Sequence, residues 1–71
     1  MRLKDIREDR DLSQKTVADL LNVRQNTYSQ YESGKRQIPI ESLIKLAAVY
    51  QVSVDYMLEL TDTPTPYPRK K

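Results

Sequence analysis

The sequence predicts an all-α protein, a compact bundle of five helices in which the second and third form a helix-turn-helix. Three observations carry this. Apolar residues recur at helical spacing, most clearly Leu43, Ile44, Leu46, Ala47 and Tyr50. Turn and boundary residues, Asn22, Gly34 and Pro39, interrupt the pattern at short intervals. In the run from Ser13 to Glu32, two short helical patterns share one tight polar turn. With 71 residues there is room for one small domain, near the size at which a single core without staples is marginal.

The first helix is expected over residues 2 to 9, with Leu3 and Ile6 inward and Leu12 closing the linker. Glu8 and Asp9 oppose the helix dipole there, a minor cost that Arg7 and Arg10 offset. Ser13 is a good N-cap for the second helix, in which Val17, Leu20 and Leu21 recur at i, i+3 and i+4. Asn22 follows, the residue that after glycine best accepts the left-handed conformation ending a helix. Val23, apolar within the turn, is expected to plug the gap between the two helices. Gly34, the only glycine, marks the end of the third helix as its left-handed residue. Pro39 presets entry to the fourth helix and its apolar stripe. Ser53 caps a short fifth helix with Asp55 in its first turn and Tyr56, Met57 and Leu60 as its apolar content. The tail from Thr61, TDTPTPYPRKK, alternates proline with polar residues and predicts an extended, mobile segment. The expected division is therefore a domain over 1–61 and a Pro-rich basic tail over 62–71, which serves either DNA contact or, slightly favoured, solubility.

Wound at 100° per residue, the third helix separates into two faces. With Gln25 at 0°, Ser29 falls near ~40°, Ser33 near ~80°, Asn26 near ~100° and Gln30 near ~140°. Thr27, Tyr28 and Tyr31 occupy the opposite arc, roughly 200° to 300°. One face packs and the other is free. An ordinary exposed helix face prefers Glu and Lys; this one is rich in amides. Asn and Gln present a donor and an acceptor from one planar group, which matches the N6 and N7 edge of adenine in the major groove. The blander reading of this arc is a solvated face.

The net charge is only +2, so its distribution matters more than its sum. Residues 1–23 carry five basic and five acidic groups, 24–45 four and two, 46–61 none and two, and 62–71 three and one. Arg24, Lys35 and Arg36 bracket the third helix, where a protein straddling a groove would meet phosphates. The chain has no cysteine and no histidine; this removes disulfides, thiolate metal sites and the commonest general base, and implies neither cofactor nor metal. The carboxylates are spread along solvent faces with no apolar pocket to raise a pKa, which argues against an enzyme. No apolar run approaches a membrane span, and MRLKDIRED lacks a signal peptide's hydrophobic stretch, so a cytoplasmic location is expected.

The stretch SQKTVADLLNVRQNTYSQYESGKRQIPIESLIKLAAVYQVSVDYML closely resembles the XRE family of bacterial and phage repressors, the lambda-type repressor and Cro fold. Gln14 with Ala18, YESGKR from Tyr31 to Arg36, Pro39, the LIKLA run and VSVDYML carry the likeness, which covers about residues 2 to 60. The resemblance implies a five-helix DNA-binding domain that binds operator half-sites as a homodimer, with double-stranded DNA as its partner. It also implies roles by position. Gln14 opens the second helix where the family meets a phosphate. Gln25 and Asn26 start the recognition helix nearest the base edges, and Gln30 is a further base-reading position. Arg24, Ser29, Lys35 and Arg36 suit phosphates. Arg7 pairs with Glu32, joining the first helix to the third; near ~340°, Glu32 is well placed for this. Ala18 lies where two helices cross closely. The C-terminal region supplies the dimer contact, so part of the Tyr56, Met57 and Leu60 group is expected to be exposed in a monomer.

Three positions depart from the family pattern. Asn22 stands where glycine is usual, at some cost in strain. Arg24 replaces the Ser or Thr that would cap the third helix. Lys15 and Thr16 leave the second helix without a capping box. Two functions fit these observations: a sequence-specific transcriptional regulator, most simply a repressor, and an antitoxin or adaptor that uses the same fold to bind a partner protein.

Overall fold

A computed structural model of the protein describes residues 1–66. The elements are α1 (Leu3–Asp9), α2 (Gln14–Leu20), α3 (Gln25–Ser33), α4 (Ile40–Tyr50) and α5 (Val54–Met57). No strand occurs among the described residues. The longest helix has 11 residues, too few to stand alone in water, so each depends on the shared core. All five contribute to that core: Leu3 and Ile6 from α1, Val17 and Ala18 from α2, Tyr28 and Tyr31 from α3, Leu43, Leu46 and Tyr50 from α4, and Met57 from α5. Ile38 and Val52 add to it from the connections. Tyr28 and Tyr31 meet edge to face, with ring centroids 6.3 Å apart. The small side chain of Ala18 suits the close packing of α2 and α3.

The helix ends follow one scheme. Ser13 Oγ accepts from Thr16 N at 3.1 Å, and Ser53 Oγ accepts from Tyr56 N at 3.0 Å, satisfying donors that the first turns of α2 and α5 leave open. Each of the five helices is followed by a left-handed residue: Asp11 (φ 54°), Asn22 (φ 57°), Gly34 (φ 81°), Gln51 (φ 56°) and Glu59 (φ 64°). The termini of α1, α2 and α5 then close with paired backbone bonds. After α2 these are Asn22 N to Asp19 O and Val23 N to Ala18 O. After α5 they are Glu59 N to Tyr56 O and Leu60 N to Asp55 O. In a non-glycine residue this conformation costs on the order of 1–2 kcal/mol, which the recovered carbonyl bonds offset.

The structure departs from the periodicity in three places. Leu20 and Ile44, expected in the apolar stripes, face outward, Ile44 at 57% exposure. In α2 the small Ala18, not Leu20, completes the inward face. In α4 the row of Leu43, Leu46 and Tyr50 takes the core, and Ile44 lies about 100° around the helix from Leu43. Met57 is fully buried, because α5 is a single turn in which neighbours 56 and 57 point in different directions and one must turn inward.

The segment after α5 is joined to the domain across the boundary expected at residue 61. Arg2 Nη2 donates to Thr61 O at 3.3 Å and to Asp62 Oδ1 at 2.9 Å, and Ser53 N donates to Pro64 O at 3.0 Å. The remainder of the expected tail, with Tyr67 and its three terminal cations, lies outside the described residues. Among the described residues no helix is long and apolar enough to cross a membrane.

Candidate nucleic-acid interface

On α3, Tyr28 and Tyr31 anchor one face in the core and hold the other outward. Gln25 and Asn26 are exposed at its start, and Ser29 and Gln30 are half-buried one turn on. Together with Gln14 from the start of α2 they line one shallow, open recess. The three amides that the sequence places on this arc, Gln25, Asn26 and Gln30, thus share a surface with Gln14, and all are uncharged groups able both to give and to accept hydrogen bonds.

Cations flank this surface. Arg24 occupies the N-cap of α3 in an extended conformation, with no side-chain cap. Lys35 and Arg36 are exposed just beyond the left-handed Gly34. The Arg36 backbone N–H returns to Gln30 O at 3.2 Å, tying the basic loop to the end of the helix. Among the described residues none of these three cations has a salt-bridge partner, whereas Arg2, Arg7 and Lys15 do. Lys4, which sequence reasoning did not single out, is brought from α1 to the edge shared by Gln14, Ser29 and Ser33. Its signal was weak: an exposed lysine on the first turn of a helix looks like any solvated charge.

Beneath the surface lies a charged cluster joining three helices. Arg7 Nε donates to Glu32 Oε2 at 2.7 Å and Arg7 Nη2 to Glu32 Oε1 at 3.2 Å, a two-point pairing. Arg7 Nη1 donates to Leu12 O at 2.8 Å. Gln14 Nε2 donates to Glu32 Oε1 at 3.0 Å. The pair is nearly dry, with side-chain exposures of 11% for Arg7 and 5% for Glu32. Burial pushes the Glu32 carboxyl upward, but Arg7 first, then the nearby Tyr28 hydroxyl and the Gln14 amide, outweigh it and hold the group below the usual carboxylate range. The Arg7 guanidinium is raised in turn, chiefly by its hydrogen bond to Glu32. Burial, then the neighbouring Glu32 carboxylate, pushes the Tyr28 phenol up. Its hydroxyl lies near the carboxylate without meeting hydrogen-bond geometry. Gln14 is therefore not the free side chain at a helix start that its position in the chain suggested.

The three residues expected at a dimer contact have different fates. Leu60 is 72% exposed. Tyr56 is half-buried under the Arg2 guanidinium, 4.4 Å from its ring centroid, and its carbonyl accepts from Arg2 Nε at 2.9 Å. Met57 belongs to the core and presents no surface to a partner, so its assignment to a dimer contact is corrected. Among the described residues no group of histidine, cysteine, aspartate or glutamate could hold a metal.

Residues 3–57 match the model of a helix-turn-helix family. The chain is 36% identical over 70 residues to an uncharacterized HTH-type transcriptional regulator of Bacillus subtilis, YobD, covering 99% of this chain and 62% of the relative. It is 40% identical over 57 residues to the HTH-type transcriptional regulator ImmR of the same organism, covering 80% and 45%. It is 36% identical over 62 residues to the cryptic phage CTXphi transcriptional repressor RstR of Vibrio cholerae, covering 87% and 56%. The chain thus spans less than two thirds of the length of each of these relatives. No solved structure matches significantly.

Proposed function

The chain belongs to the XRE family of helix-turn-helix proteins, and from that premise we propose that it is a sequence-specific DNA-binding transcriptional regulator, most simply a repressor. The reading is carried by one observation: an outward amide face on α3, flanked by three cations that have no salt-bridge partner among the described residues. In this reading α3 enters the major groove, Gln25, Asn26 and Gln30 read base edges, and Arg24, Ser29, Lys35 and Arg36 bind phosphates. The similarity to RstR, a transcriptional repressor, supports the direction of regulation. We further propose that residues 1–61 form the binding unit and that it acts as a homodimer. Leu60 lies at the contact, and half-sites sit about one helical turn, ~34 Å, apart on a two-fold symmetric operator.

Selection of bound sequences from a random duplex library at near-physiological salt tests this. A palindromic motif is expected. Gln25→Ala should cost roughly 1–3 kcal/mol and relax one base preference, whereas Lys35→Ala should weaken all sequences alike and flatten the salt slope by about one. Weak, salt-labile binding with no motif would refute the proposal and favour an antitoxin or adaptor that binds a protein through this fold.

A further inference from the structure

We propose that Arg2 is a positioning residue for self-association: by bonding the chain on both sides of Leu60, it holds that side chain out as a rigid knob for a second copy of this protein. This rests on the homodimer proposed above, with Leu60 at its contact.

Leu60 is 72% exposed and follows α5 in irregular chain, which is ordinarily mobile because few of its backbone groups are bonded. Here they are bonded in series. Glu59, left-handed at φ 64°, donates its N–H to Tyr56 O at 3.1 Å, and Leu60 N donates to Asp55 O at 2.9 Å. Arg2 then fixes the same stretch from outside. Its backbone N–H donates to Met57 O at 2.9 Å. Its side chain donates from Nε to Tyr56 O at 2.9 Å, and from Nη2 to Thr61 O at 3.3 Å and to Asp62 Oδ1 at 2.9 Å. The guanidinium also lies 4.4 Å from the centroid of the Tyr56 ring. One side chain thus spans residues 56 to 62, with Leu60 between its bonds.

The arms differ in weight. Asp62 is fully exposed, and an ion pair in water contributes little. The bonds to the two carbonyls are part-buried and need the planar fork, whose Nε and Nη2 diverge in a fixed geometry that the single nitrogen of a lysine cannot reproduce. These bonds exceed what the end of α5 requires, since Glu59 N and Leu60 N already close its last turn. What they add is order in an exposed loop that carries an apolar side chain. A contact made by a group already ordered avoids the entropy of ordering it on association. In a two-fold dimer each copy contributes its own Leu60, so a loss of order counts twice.

The test compares the full chain carrying Arg2→Lys, Leu60→Ala, both together, and Arg10→Met. Arg2→Lys keeps the charge and the backbone bond to Met57 O but loses the fork. Arg10→Met removes the Arg10 Nη2 bond to Tyr50 O and none of those around Leu60, and serves as a destabilised control. Sedimentation velocity gives the self-association constant and thermal melts give Tm. Arg2→Lys is expected to weaken self-association about fivefold or more, and Arg10→Met to leave it unchanged. In the Leu60→Ala background Arg2→Lys should weaken it no further. Unweakened association in Arg2→Lys, an equal loss in Arg10→Met, or an additive loss in the double variant overturns the proposal while leaving the homodimer standing. A wild type that stays monomeric at every concentration, with and without palindromic DNA, overturns the homodimer and the role of Arg2 with it. A second arm needs no dimer: hydrogen exchange of the Leu60 amide, measured at low concentration, should be faster in Arg2→Lys and unchanged in Arg10→Met. Equal exchange in Arg2→Lys and wild type overturns the claim that Arg2 orders this loop. If Arg2→Lys fails to fold, Arg2→Met, whose unbranched side chain can still lie on the Tyr56 ring, must show both effects or the proposal falls.

Discussion

Glu32→Ala is expected to be among the most damaging single changes in this chain. The carboxylate takes two donors from Arg7 and one from Gln14 at 2.7–3.2 Å, within a pair whose side chains are 11% and 5% exposed. Removing it leaves the guanidinium with its bond to Leu12 O alone and strands the Gln14 nitrogen. Breaking a buried pair from one side costs about 3–5 kcal/mol, most of it the desolvation of the charge left behind. A domain of 71 residues has a total stability of roughly 4–11 kcal/mol at 0.05–0.15 per residue. The substitution therefore removes a large share. At about 4–8 °C per kcal/mol for a domain this small, Tm should fall by at least about 12 °C. The loss should be similar at low and high salt, since a dry pair is little screened. Thermal melts followed by far-ultraviolet circular dichroism give the number directly. The double variant Arg7→Met/Glu32→Leu, which empties the site of charge and fills its volume, should recover most of the loss. A drop below about 5 °C, or a double variant no better than Glu32→Ala, would refute the buried-pair argument.

Further predictions concern pH, backbone strain and association. The folded Glu32 carboxyl lies below its unfolded value, near 4.3 for a free Glu, so its contribution is complete above that pH and is lost as pH falls through the folded pKa. An acid titration of Tm should show this loss in wild type and not in Arg7→Met/Glu32→Leu. The Tyr28 and Tyr50 phenols are raised, chiefly by burial. Their contribution is complete below pH ~10 and is lost as pH rises through the folded pKa, with a slope of about 1.4 kcal/mol per unit for each phenol. Tyr28→Phe should halve that slope in alkaline melts. Gly34→Ala should cost about 1–2 kcal/mol by urea unfolding, through the left-handed backbone alone, because an added Cβ meets nothing within 4 Å. Leu60→Glu should leave Tm unchanged and weaken self-association in sedimentation velocity; unaltered association would remove Leu60 from the dimer contact.

The helices were legible because their signals are local. Ser13 and Ser53 announce two N-caps, Asn22 and Gly34 two left-handed ends, and the alternation of faces on α3 follows from the helical period. The left-handed ends at Gln51 and Glu59 were not legible, because Gln and Glu have no marked preference for that conformation. There the core and the recovered carbonyl bonds override propensity. Leu20 and Ile44 read as core because hydrophobicity says only that burial is favourable. Which side of a stripe is covered depends on what packs against it.

The sequence by itself determined the kinds of element, their order and the chemical character of the α3 face, since these depend on residues within one or two turns of each other. Only the tertiary structure decided which partners distant residues meet. It turned Met57 inward, drew Arg2 to Asp62, and brought Gln14, Glu32 and Arg7 into one buried cluster. Those choices depend on how three short helices cross, and a dry carboxylate takes whichever donors that crossing delivers, because leaving it unpaired costs more than any local preference contributes.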